Sequence, residues 1–397
     1  MLAVTRSQSD LVYIYMLNLP QMGAGTIQSL STVRELARHR SITMVSPWVS
    51  MYRLRLLQKR WRLPASVKIV RSPVPAKLRY VFSPDVERLL FTFTVLVYVG
   101  IRRRCVIFTR DISLPLLLSY IPGIFRPQRD LTLELHKTYF LASSKVKKRI
   151  EARAYGMADR FVCTTQATAN DVEHLFGVPP RRIHVLRNAV DYRYVRACVA
   201  RLSLPTGNRP SVAYSGSFKD WKGVDLLAQA WSMMDRPSGK LLLVGADENE
   251  IGTIVELCRN LRITDSVTIV PRKSHREALR LVASAQVAVL PNPHSPEGTR
   301  YTSPIKLFEY LAIGLPIVAS RLPSFQEILT EGENCLFFCP GDASDLAAKL
   351  QRILNDTQGR KTMSEANVAL AQANTWALRA ESLERILPGH TMARRSG

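Results

Sequence analysis

Residues Tyr301 to Ser320 read Tyr-Thr-Ser-Pro-Ile-Lys-Leu-Phe-Glu-Tyr-Leu-Ala-Ile-Gly-Leu-Pro-Ile-Val-Ala-Ser. Ser303 is a favourable N-cap and Pro304 suits the first helical position, so the stretch predicts a helix that begins there. Gly314 should end this helix, and Pro316–Ala319 reads as a short apolar strand. A helix that passes through a glycine into a buried strand is typical of an α/β domain with a parallel sheet.

Two charged side chains lie near the start of this predicted helix. The helix N-terminus would present free backbone N–H groups and a partial positive charge, and Lys306 adds a full charge in the first turn. Glu309 follows three residues later on the same face, where its carboxylate can accept hydrogen bonds from two sugar hydroxyls. The pattern favours a nucleotide-sugar diphosphate as ligand. A surface ion pair between Lys306 and Glu309 would give the same spacing.

The length and composition predict more than one globular domain. The chain has 397 residues, of which 46% are hydrophobic and 22% charged, values that are ordinary for a folded protein. Short apolar strands alternate with amphipathic helices, which predicts two tandem Rossmann-like βαβ domains. The predicted boundaries are residues 1–190 for the first domain, 191–209 for a linker, 210–374 for the second domain and 375–397 for a final helix and tail.

The positive charge is concentrated in the first half of the chain. The net charge is +23, and residues 1–190 carry 30 Lys+Arg against 11 Asp+Glu, whereas residues 191–397 carry 25 against 21. An acidic partner is therefore expected for the first domain, either nucleic acid or an anionic membrane. The cations are scattered over several helices without interleaved aromatic residues, so we expect no nucleic acid as partner.

Two basic helices are candidates for contact with a membrane surface. Met51–Trp61 combines Tyr52, Leu56, Leu57 and Trp61 with several arginines and lysines, which suits an interfacial helix or, equally, a solvated helix that covers the sheet. Ser143–Tyr155 is a second basic helix with the same two interpretations. The longest uncharged apolar run, from Leu89 to Ile101, has 13 residues, whereas a membrane-spanning helix needs about 20.

Other sequence features suggest a cytoplasmic location. The first ten residues are polar and do not resemble a secretory signal, and the six scattered cysteines indicate reduced thiols. We therefore expect a cytoplasmic protein that is peripheral on the inner face of the cell membrane.

Candidate binding residues follow the strands of both predicted domains. In the first domain, Gly23-Ala24-Gly25 follows the first strand, and Arg110 and His136 follow later strands at the edge where parallel sheets bind ligands. No acidic residue stands at the dinucleotide spacing, so NAD is not expected. In the second domain, Lys222 lies in a glycine-bounded loop just before a helix, where it could clamp a phosphate.

Motifs along nearly the whole chain occur in the order of a known family. They are Glu134-Leu-His136, Asn188-Ala-Val-Asp191, Tyr214-Ser-Gly-Ser, Trp221-Lys-Gly223, Leu243-Val-Gly245, Val289-Leu-Pro291, Ser303 to Ser320 and Gly332-Glu-Asn-Cys-Leu-Phe337. On these motifs the chain resembles the retaining GT-B glycosyltransferases of the glycosyl transferases group 1 family, family four. The resemblance implies an α/β fold of two Rossmann-like domains with an interdomain cleft and a final helix that returns to the first domain.

The resemblance also implies roles for individual residues. Lys222 would hold the donor diphosphate, Glu309 the ribose hydroxyls, and His136 would touch the transferred sugar, so these three are the predicted catalytic residues. The Gly23–Gly25 loop would close over the donor or acceptor, with Arg110 nearby. The predicted donor-binding residues are Gly216, Ser217, Lys222, Val270, Pro271, Thr302, Ser303, Lys306 and Glu309.

The chain departs from the family pattern at three positions. Tyr301 replaces the first member of the acidic pair that often precedes Glu309, Ser217 replaces the common arginine of the lysine loop, and Ala189 replaces a glycine. A carboxylate role at Tyr301 is therefore void, and Lys222, Lys306 or a cation of the first domain must carry more of the phosphate charge.

The expected function is transfer of a hexose-type sugar from a nucleotide-diphosphate sugar to an acceptor, with retention of anomeric configuration. The chain has no Asp-x-Asp metal motif, so we expect no metal and no cofactor beyond the donor itself. The basic first domain suggests a glycolipid or membrane-presented saccharide as acceptor, in bacterial polysaccharide biosynthesis. A nucleotide-sugar epimerase of the same fold is the alternative enzyme, and a basic nucleic-acid-binding protein is the alternative outside enzymes.

Overall fold

The computed structural model describes residues 11–15, 23–47, 51–71, 84–101, 104–122, 128–138, 145–200, 210–234, 239–295 and 300–388. The chain divides into two compact units. The first unit is Met1–Arg187 together with Trp376–Gly397, and the second is Asn188–Thr375.

Within the described residues, the first unit is built on a parallel sheet of seven strands. They are β1 (Leu11–Ile14), β2 (Ile42–Ser46), β3 (Val67–Arg71), β4 (Arg104–Thr109), β5 (Gln128–Leu135), β6 (Arg160–Cys163) and β7 (Ile183–Val185). Their order is β3-β2-β1-β4-β5-β6-β7, with every pairing parallel. The winding of the chain reverses between β1 and β4, which is where open α/β sheets bind ligands.

Helices cover both faces of this sheet. They are α1 (Ala24–Leu36), α2 (Met51–Trp61), α3 (Pro84–Gly100), α4 (Ser113–Tyr120), α5 (Lys145–Tyr155) and α6 (Gln166–Phe176). Alternate residues of a strand point to opposite faces. Accordingly, Val12 and Ile14 join the core beneath α3, α4, α5 and α6, whereas Leu11 and Tyr13 join the core beneath α1 and α2.

The second unit repeats the design, and its described part holds a parallel sheet of six strands. They are β8 (Pro210–Ser215), β9 (Lys240–Ala246), β10 (Val267–Pro271), β11 (Val287–Leu290), β12 (Ile317–Ser320) and β13 (Cys335–Phe338). Their order is β10-β9-β8-β11-β12-β13, so the winding reverses between β8 and β11. Both faces are covered by apolar clusters. The predicted α/β class with two Rossmann-like domains is confirmed.

The first and the last helix of the second unit were not expected from the sequence. The described helices of this unit are α7 (Tyr192–Val199), α8 (Val224–Ser232), α9 (Glu248–Asn260), α10 (His275–Ala283), α11 (Ile305–Ile313), α12 (Pro323–Gln326), α13 (Ala343–Asn355) and α14 (Thr357–Ala373). The predicted linker 191–209 is wrong over α7, because Val195 and Cys198 are buried in the core of the second unit. Residues 201–209 lie outside the described residues. The helix α14 has a weak sequence signal because only Met363, Asn367 and Ala371 of it are buried.

The last helix, α15 (Trp376–Ile386), belongs to the first unit. Its residues Ala380 and Leu383 pack in the same apolar cluster as Leu30 and Val33 of α1. An ion pair between Arg40 and Glu384 (Nη2 to Oε2, 2.6 Å) fastens it further. The helix α15 is therefore part of the fold of the first unit.

Candidate functional site

Glycines bring backbone segments of the second unit into close contact where its sheet order reverses. Gly223, which precedes α8, has φ 71°, and a Cβ there would lie 1.9 Å from the carbonyl oxygen of Pro291 after β11. Gly216, just after β8, has φ 136°, and a Cβ on Gly245 would lie 2.7 Å from the carbonyl oxygen of Gly216. Only glycine fits such contacts at positive φ. The loop from Gly216 to Gly223 is thereby held at the carboxyl edge of the sheet.

The ammonium group of Lys306 is buried beside this loop. Its Nζ lies 3.9 Å from the centroid of the Tyr214 ring and 2.8 Å from the place where a Cβ of Gly216 would stand. Among the described residues, no group accepts a hydrogen bond from this nitrogen. Burial, and next the charge of Lys222, lower the pKa of Lys306 well below its usual value, while Glu309 opposes the shift. A buried ammonium without an acceptor is costly to keep charged.

Lys222 supplies a second cation on the same loop. Its Nζ lies 3.6 Å from the centroid of the neighbouring Trp221 ring. Burial and then the charge of Lys219 lower the pKa of Lys222 to about 8. Two lysines whose charged forms are disfavoured would both be stabilised by an anionic ligand, because an opposite charge within a few ångströms favours the charged form. The arrangement has the chemistry of a phosphate site.

The start of α11 differs from the prediction. The helix begins at Ile305 with Pro304 as N-cap and no side-chain cap, so Ser303 is not the cap. Ser303 is hydrogen-bonded to Asn188 instead. The Asn188 Nδ2 donates to the Ser303 carbonyl at 2.6 Å, and the Asn188 backbone N–H donates to the Ser303 hydroxyl at 3.5 Å. Gly314 ends the helix in the left-handed conformation at φ 86°, as expected.

Glu309 has a partner that sequence spacing did not indicate. Its Oε1 lies 2.6 Å from Nε2 of His275, the first residue of α10, and the ring of Tyr194 stacks on that imidazole at 5.6 Å. The Glu309 side chain is 13% exposed to solvent, so it does not point into an apolar core. Within the described part of the chain, Oε1 alone is hydrogen-bonded, and Oε2 can accept from a ligand hydroxyl.

Hydrogen bonds fix α11 against the end of β8. The Tyr310 hydroxyl accepts from the Ser215 backbone N–H at 2.9 Å and lies 3.1 Å from the Ser215 hydroxyl. The Tyr214 hydroxyl donates to the carbonyl of Ser217 at 2.8 Å. These contacts tie together the two segments that carry Lys306 and Lys222.

The remaining predicted donor residues are less closely grouped. Ser217 and Thr302 are half-buried in loops next to the two lysine-bearing segments. Val270 and Pro271 lie at the same end of the sheet but on its edge strand β10, two strands from β8. The loop after β10 leads to His275 and so approaches Glu309.

In the first unit, a buried carboxylate organises a cluster of polar groups at the end of β5. Glu134 is 1% exposed. Its Oε2 accepts from Nη2 of Arg379 at 3.0 Å, and its Oε1 accepts from Nε2 of Gln28 at 2.6 Å and lies 2.7 Å from Nε2 of His136. Burial by itself would raise the pKa of Glu134, but Arg379, His136 and Arg110 outweigh it and hold the pKa well below its usual range.

His136 is neutral at physiological pH in this environment. Loss of hydration and then the charge of Arg110 lower its pKa to about 4, against the opposing effect of Glu134. Because Glu134 is ionised, Nε2 of His136 must carry the proton in their hydrogen bond. The other ring nitrogen, Nδ1, is then the acceptor, and no described residue hydrogen-bonds to it.

Arg110 joins this cluster to the start of α1. Its Nη1 donates to the Gly25 carbonyl at 3.0 Å and to the Ser29 hydroxyl at 3.1 Å. Gly23 is the N-cap of α1, and Ala24 and Gly25 lie in its first turn. The predicted loop over Gly23–Gly25 is therefore a helix start, and residues 16–22 before it lie outside the described residues. A Cβ at Gly25 would lie 2.6 Å from the Tyr15 hydroxyl, so a larger residue there would displace that side chain.

Two family models match the chain. The model of the glycosyl transferases group 1 matches residues 209–356, and that of glycosyltransferase family 4 matches residues 91–194. Together they cover more than half of the chain and both of its units. The chain belongs to the glycosyl transferases group 1 family.

Several curated relatives match more than half of this chain. D-inositol 3-phosphate glycosyltransferase of Nocardia farcinica is 26% identical over 246 residues, 59% of this chain and 53% of the relative. Glycogen synthase of Mycobacterium tuberculosis is 24% identical over 226 residues, 57% of this chain and 52% of the relative. The chain thus spans about half the length of the curated relatives it matches.

Several solved structures share the fold along nearly the whole chain. HepE of Anabaena in complex with UDP and glucose has a TM-score of 0.73 at 16% identity, over 95% of this chain and 98% of its own. Sucrose-phosphate synthase of Thermosynechococcus elongatus has a TM-score of 0.75 at 19% identity, over 95% and 98%. These likenesses establish the GT-B fold of this group 1 chain.

The structure shows the environment of two residues that differ from the group 1 pattern, Tyr301 and Ser217. Tyr301 is 8% exposed and brings a phenol to the position where the family often has a carboxylate. Ser217 provides a backbone carbonyl for Tyr214 and no cation. The positive charge beside the loop therefore comes from Lys222 and Lys306.

Four residues of these clusters were not singled out from the sequence. They are Gln28, Tyr194, His275 and Arg379. Each of them hydrogen-bonds to, or stacks on, a residue more than 30 positions away in the sequence. No local spacing in the sequence indicates such a pair. A weak sequence signal existed for two of them, since Gln28 and His275 lie in the first two turns of helices that follow strands.

Proposed function

We propose that this chain transfers a hexose-type sugar from a nucleotide-diphosphate sugar to a saccharide acceptor, with retention of anomeric configuration. The observation that carries the proposal is the buried ammonium of Lys306, which has no acceptor among the described residues, beside the loop that bears Lys222. A diphosphate would provide the missing acceptors and would restore the charge that burial disfavours.

The reaction breaks the bond between the sugar and the diphosphate, so negative charge grows on the departing phosphate. Lys306, Lys222 and the N-terminus of α11 would stabilise that charge, and their positions are fixed before the reaction begins. Family membership supports attack by the acceptor hydroxyl from the same face, with the leaving phosphate taking its proton. Two ammonium groups supply the positive charge, and the transfer is proposed to need no divalent metal.

The remaining predicted residues have supporting roles in this proposal. The free Oε2 of Glu309 would accept a ribose hydroxyl, while His275 holds the other oxygen. Neutral His136 would offer Nδ1 to a hydroxyl of the sugar. The relatives named above are a glycosyltransferase and a glycogen synthase, and HepE was crystallised with UDP and glucose, which favours a UDP-sugar as the first donor to test.

A panel of UDP-, GDP- and ADP-sugars tests the donor. One series should raise the melting temperature, and Glu309→Ala should weaken its binding about 10- to 100-fold, the value of a hydrogen bond to a charged group. Exposed Glu365 on α14 gives a matched control, and Glu365→Ala should bind normally. The absence of any shift with all three series would refute the proposal. Donor turnover without acceptor, with the sugar epimerised, would indicate the epimerase instead.

The proposed acceptor is presented at an anionic membrane, and one face of the first unit suits such contact. Three apolar residues at helical spacing on α3 are exposed: Phe93 at 60%, Val97 at 50% and Ile101, just after the helix, at 74%. The helix α4 packs against α3 and α5 packs against α4, and both add exposed side chains, apolar or cationic. They are Tyr120, Val146, Ile150, Lys145, Lys147 and Arg149. We name this set of residues the α3–α5 face.

The helix α2 is a weaker candidate than its sequence indicated. Leu57 is 8% exposed and Trp61 packs against the core, so two of its four predicted anchors face inward. Tyr52 and Leu56 remain exposed, but on the opposite face of the sheet from α3. No helix of the described residues is long and apolar enough to cross a bilayer. Contact through the α3–α5 face would therefore be peripheral.

Vesicle flotation tests this contact. The protein should float with anionic vesicles and much less with neutral ones, since each cation near an anionic surface contributes about 1 kcal/mol. Phe93→Ser with Val97→Ser should abolish flotation, whereas the matched pair Tyr52→Ser with Leu56→Ser should leave it unchanged. Equal failure of the wild type to float with both lipids would end the membrane proposal. Loss of flotation only in the Tyr52→Ser with Leu56→Ser variant would show that α2 makes the membrane contact.

A further inference from the structure

A buried arginine from the last helix reaches the polar cluster of the first unit. Arg379 of α15 is 5% exposed, and its Nη2 donates to Oε2 of Glu134 at 3.0 Å, across 245 positions of sequence. Its Nε donates to the carbonyl of Arg187 at 2.9 Å. Two hydrogen bonds, from Nε and from Nη2, thus fix the Arg379 guanidinium, and its positive charge lies next to the Glu134 carboxylate.

Glu134 depends on this arginine for its charge balance. The other guanidinium nearby belongs to Arg110, whose Nε lies 3.7 Å from Oε1 of Glu134 and makes no hydrogen bond to a described residue. A buried carboxylate without a close cation is strongly disfavoured. Arg379 is therefore the guanidinium that hydrogen-bonds Glu134, and of the neighbouring groups it does most to keep that carboxylate ionised and fixed in place.

The state of His136 follows from that of Glu134. An ionised Glu134 accepts the Nε2 proton of His136 at 2.7 Å, which orients the ring and leaves Nδ1 as the acceptor. The charged groups that act on the ring are Glu134, Arg110 and Arg379. Removal of Arg379 changes both the carboxylate and the field on the imidazole.

We propose that Arg379 is a positioning residue for His136, acting through Glu134 to fix the ring with Nε2 protonated and Nδ1 directed to accept a hydroxyl. The inference rests on the proposed function for the identity of that hydroxyl, which would belong to the transferred sugar. It makes the last helix of the chain a contributor to the sugar site of the first unit, beyond its packing role.

A second buried pair on the same helix provides a matched control for that packing role. Arg40 and Glu384 lie 2.6 Å apart, with side-chain exposures of 5% and 4%, close to the 4% and 1% of Arg379 and Glu134. This pair also joins α15 to the body of the first unit, but neither residue contacts His136. A purely structural role for Arg379 predicts that Arg379→Met and Arg40→Met behave alike.

The test is NMR of the His136 ring in the full chain, with its signal assigned from the His136→Gln variant. In the wild type the ring should stay neutral in the Nε2–H form down to pH near 4. Arg379→Met should move the titration midpoint and populate the Nδ1–H form, because a Glu134 that has lost its hydrogen-bonded cation is protonated more readily and then donates to Nε2. Arg379→Lys should restore most of the wild-type behaviour, and Arg40→Met should lower the melting temperature without moving the midpoint.

Activity gives a second readout. Arg379→Met should lower kcat of sugar transfer about 100-fold with little change in donor KM, the effect of a misplaced group near the reacting centre. If Arg379→Met does not fold, Glu134→Gln takes its place, and the ring should then populate the Nδ1–H form in its ¹⁵N shifts. An unchanged tautomer and midpoint, or equal shifts in Arg40→Met, would overturn the inference. The expected NMR changes in a protein inactive with every donor would uphold Arg379 and refute the proposed transfer.

Discussion

Replacement of Lys306 by methionine should severely slow sugar transfer while it stabilises the free protein. Methionine fills the volume of the lysine stem beside Tyr214 without an ammonium group to bury. Removal of one preorganised charge that stabilises a developing oxyanion costs about 100- to 1,000-fold in kcat. Removal of a buried group without a hydrogen-bond partner should raise the free energy of unfolding by about 1–3 kcal/mol. Transfer assays and urea denaturation measure the two effects.

The pH dependence of unfolding separates this explanation from a general packing effect. The folded pKa of Lys306 lies below its ordinary value, so the unfolded chain binds more protons in the interval between the two pKa values. Stability of the wild type therefore rises with pH across that interval. The methionine variant lacks this contribution, and its advantage should shrink as pH rises through that interval toward about 10.4.

A surface lysine provides the control for Lys306. Lys361 on α14 is exposed, and Lys361→Met removes the same charge from the second unit without changing a buried site. It should leave both transfer and the pH dependence of stability as they are. A Lys306→Met protein that still turns over donor at more than about a tenth of the wild-type rate would contradict the assigned role.

Gly223→Ala should destabilise the second unit far more than its conformation alone would require. A Cβ at Gly223 would lie 1.9 Å from the carbonyl oxygen of Pro291 and 2.9 Å from its carbon. These are backbone atoms next to β11, so they cannot rotate aside, and either the loop or the strand end must move. We expect a loss of about 3–5 kcal/mol in the free energy of unfolding, the range of severe steric substitutions. Any folded variant should bind nucleoside diphosphates weakly, because Lys222 is the preceding residue.

Gly341 gives a matched control for the backbone conformation. It has φ 88°, and a Cβ added there would meet no atom within 4 Å among the described residues. Gly341→Ala therefore isolates the cost of the left-handed conformation, about 1–2 kcal/mol. Urea denaturation of both variants measures the difference, and calorimetric titration with a nucleoside diphosphate measures the site. Equal losses of stability in the two variants would show that the contact with Pro291 is unimportant.

Local sequence patterns predicted well the helix and strand that carry the candidate site of the second unit. The apolar run after Gly314 forms β12, and the glycine ends α11 at positive φ, because both features depend on neighbours within a few residues. Lys222 was recognised from its place just before a helix and Lys306 from the first turn of another; Lys222 lies on the loop after β8 and Lys306 lies beside that loop. The N-cap was wrong for a tertiary reason, since Asn188, distant in sequence, holds Ser303 outside the helix.

The sequence by itself determined the fold class, because alternating apolar strands and amphipathic helices leave few alternatives to two parallel sheets covered by helices. It also determined which residue types stand at the carboxyl edges of those sheets. Only the tertiary structure decided the partners of the charged groups. Arg379 meets Glu134, and His275 meets Glu309, across 245 and 34 positions. Such pairs are set by which strands and helices become neighbours, and the geometry of a single helix or strand does not encode that choice.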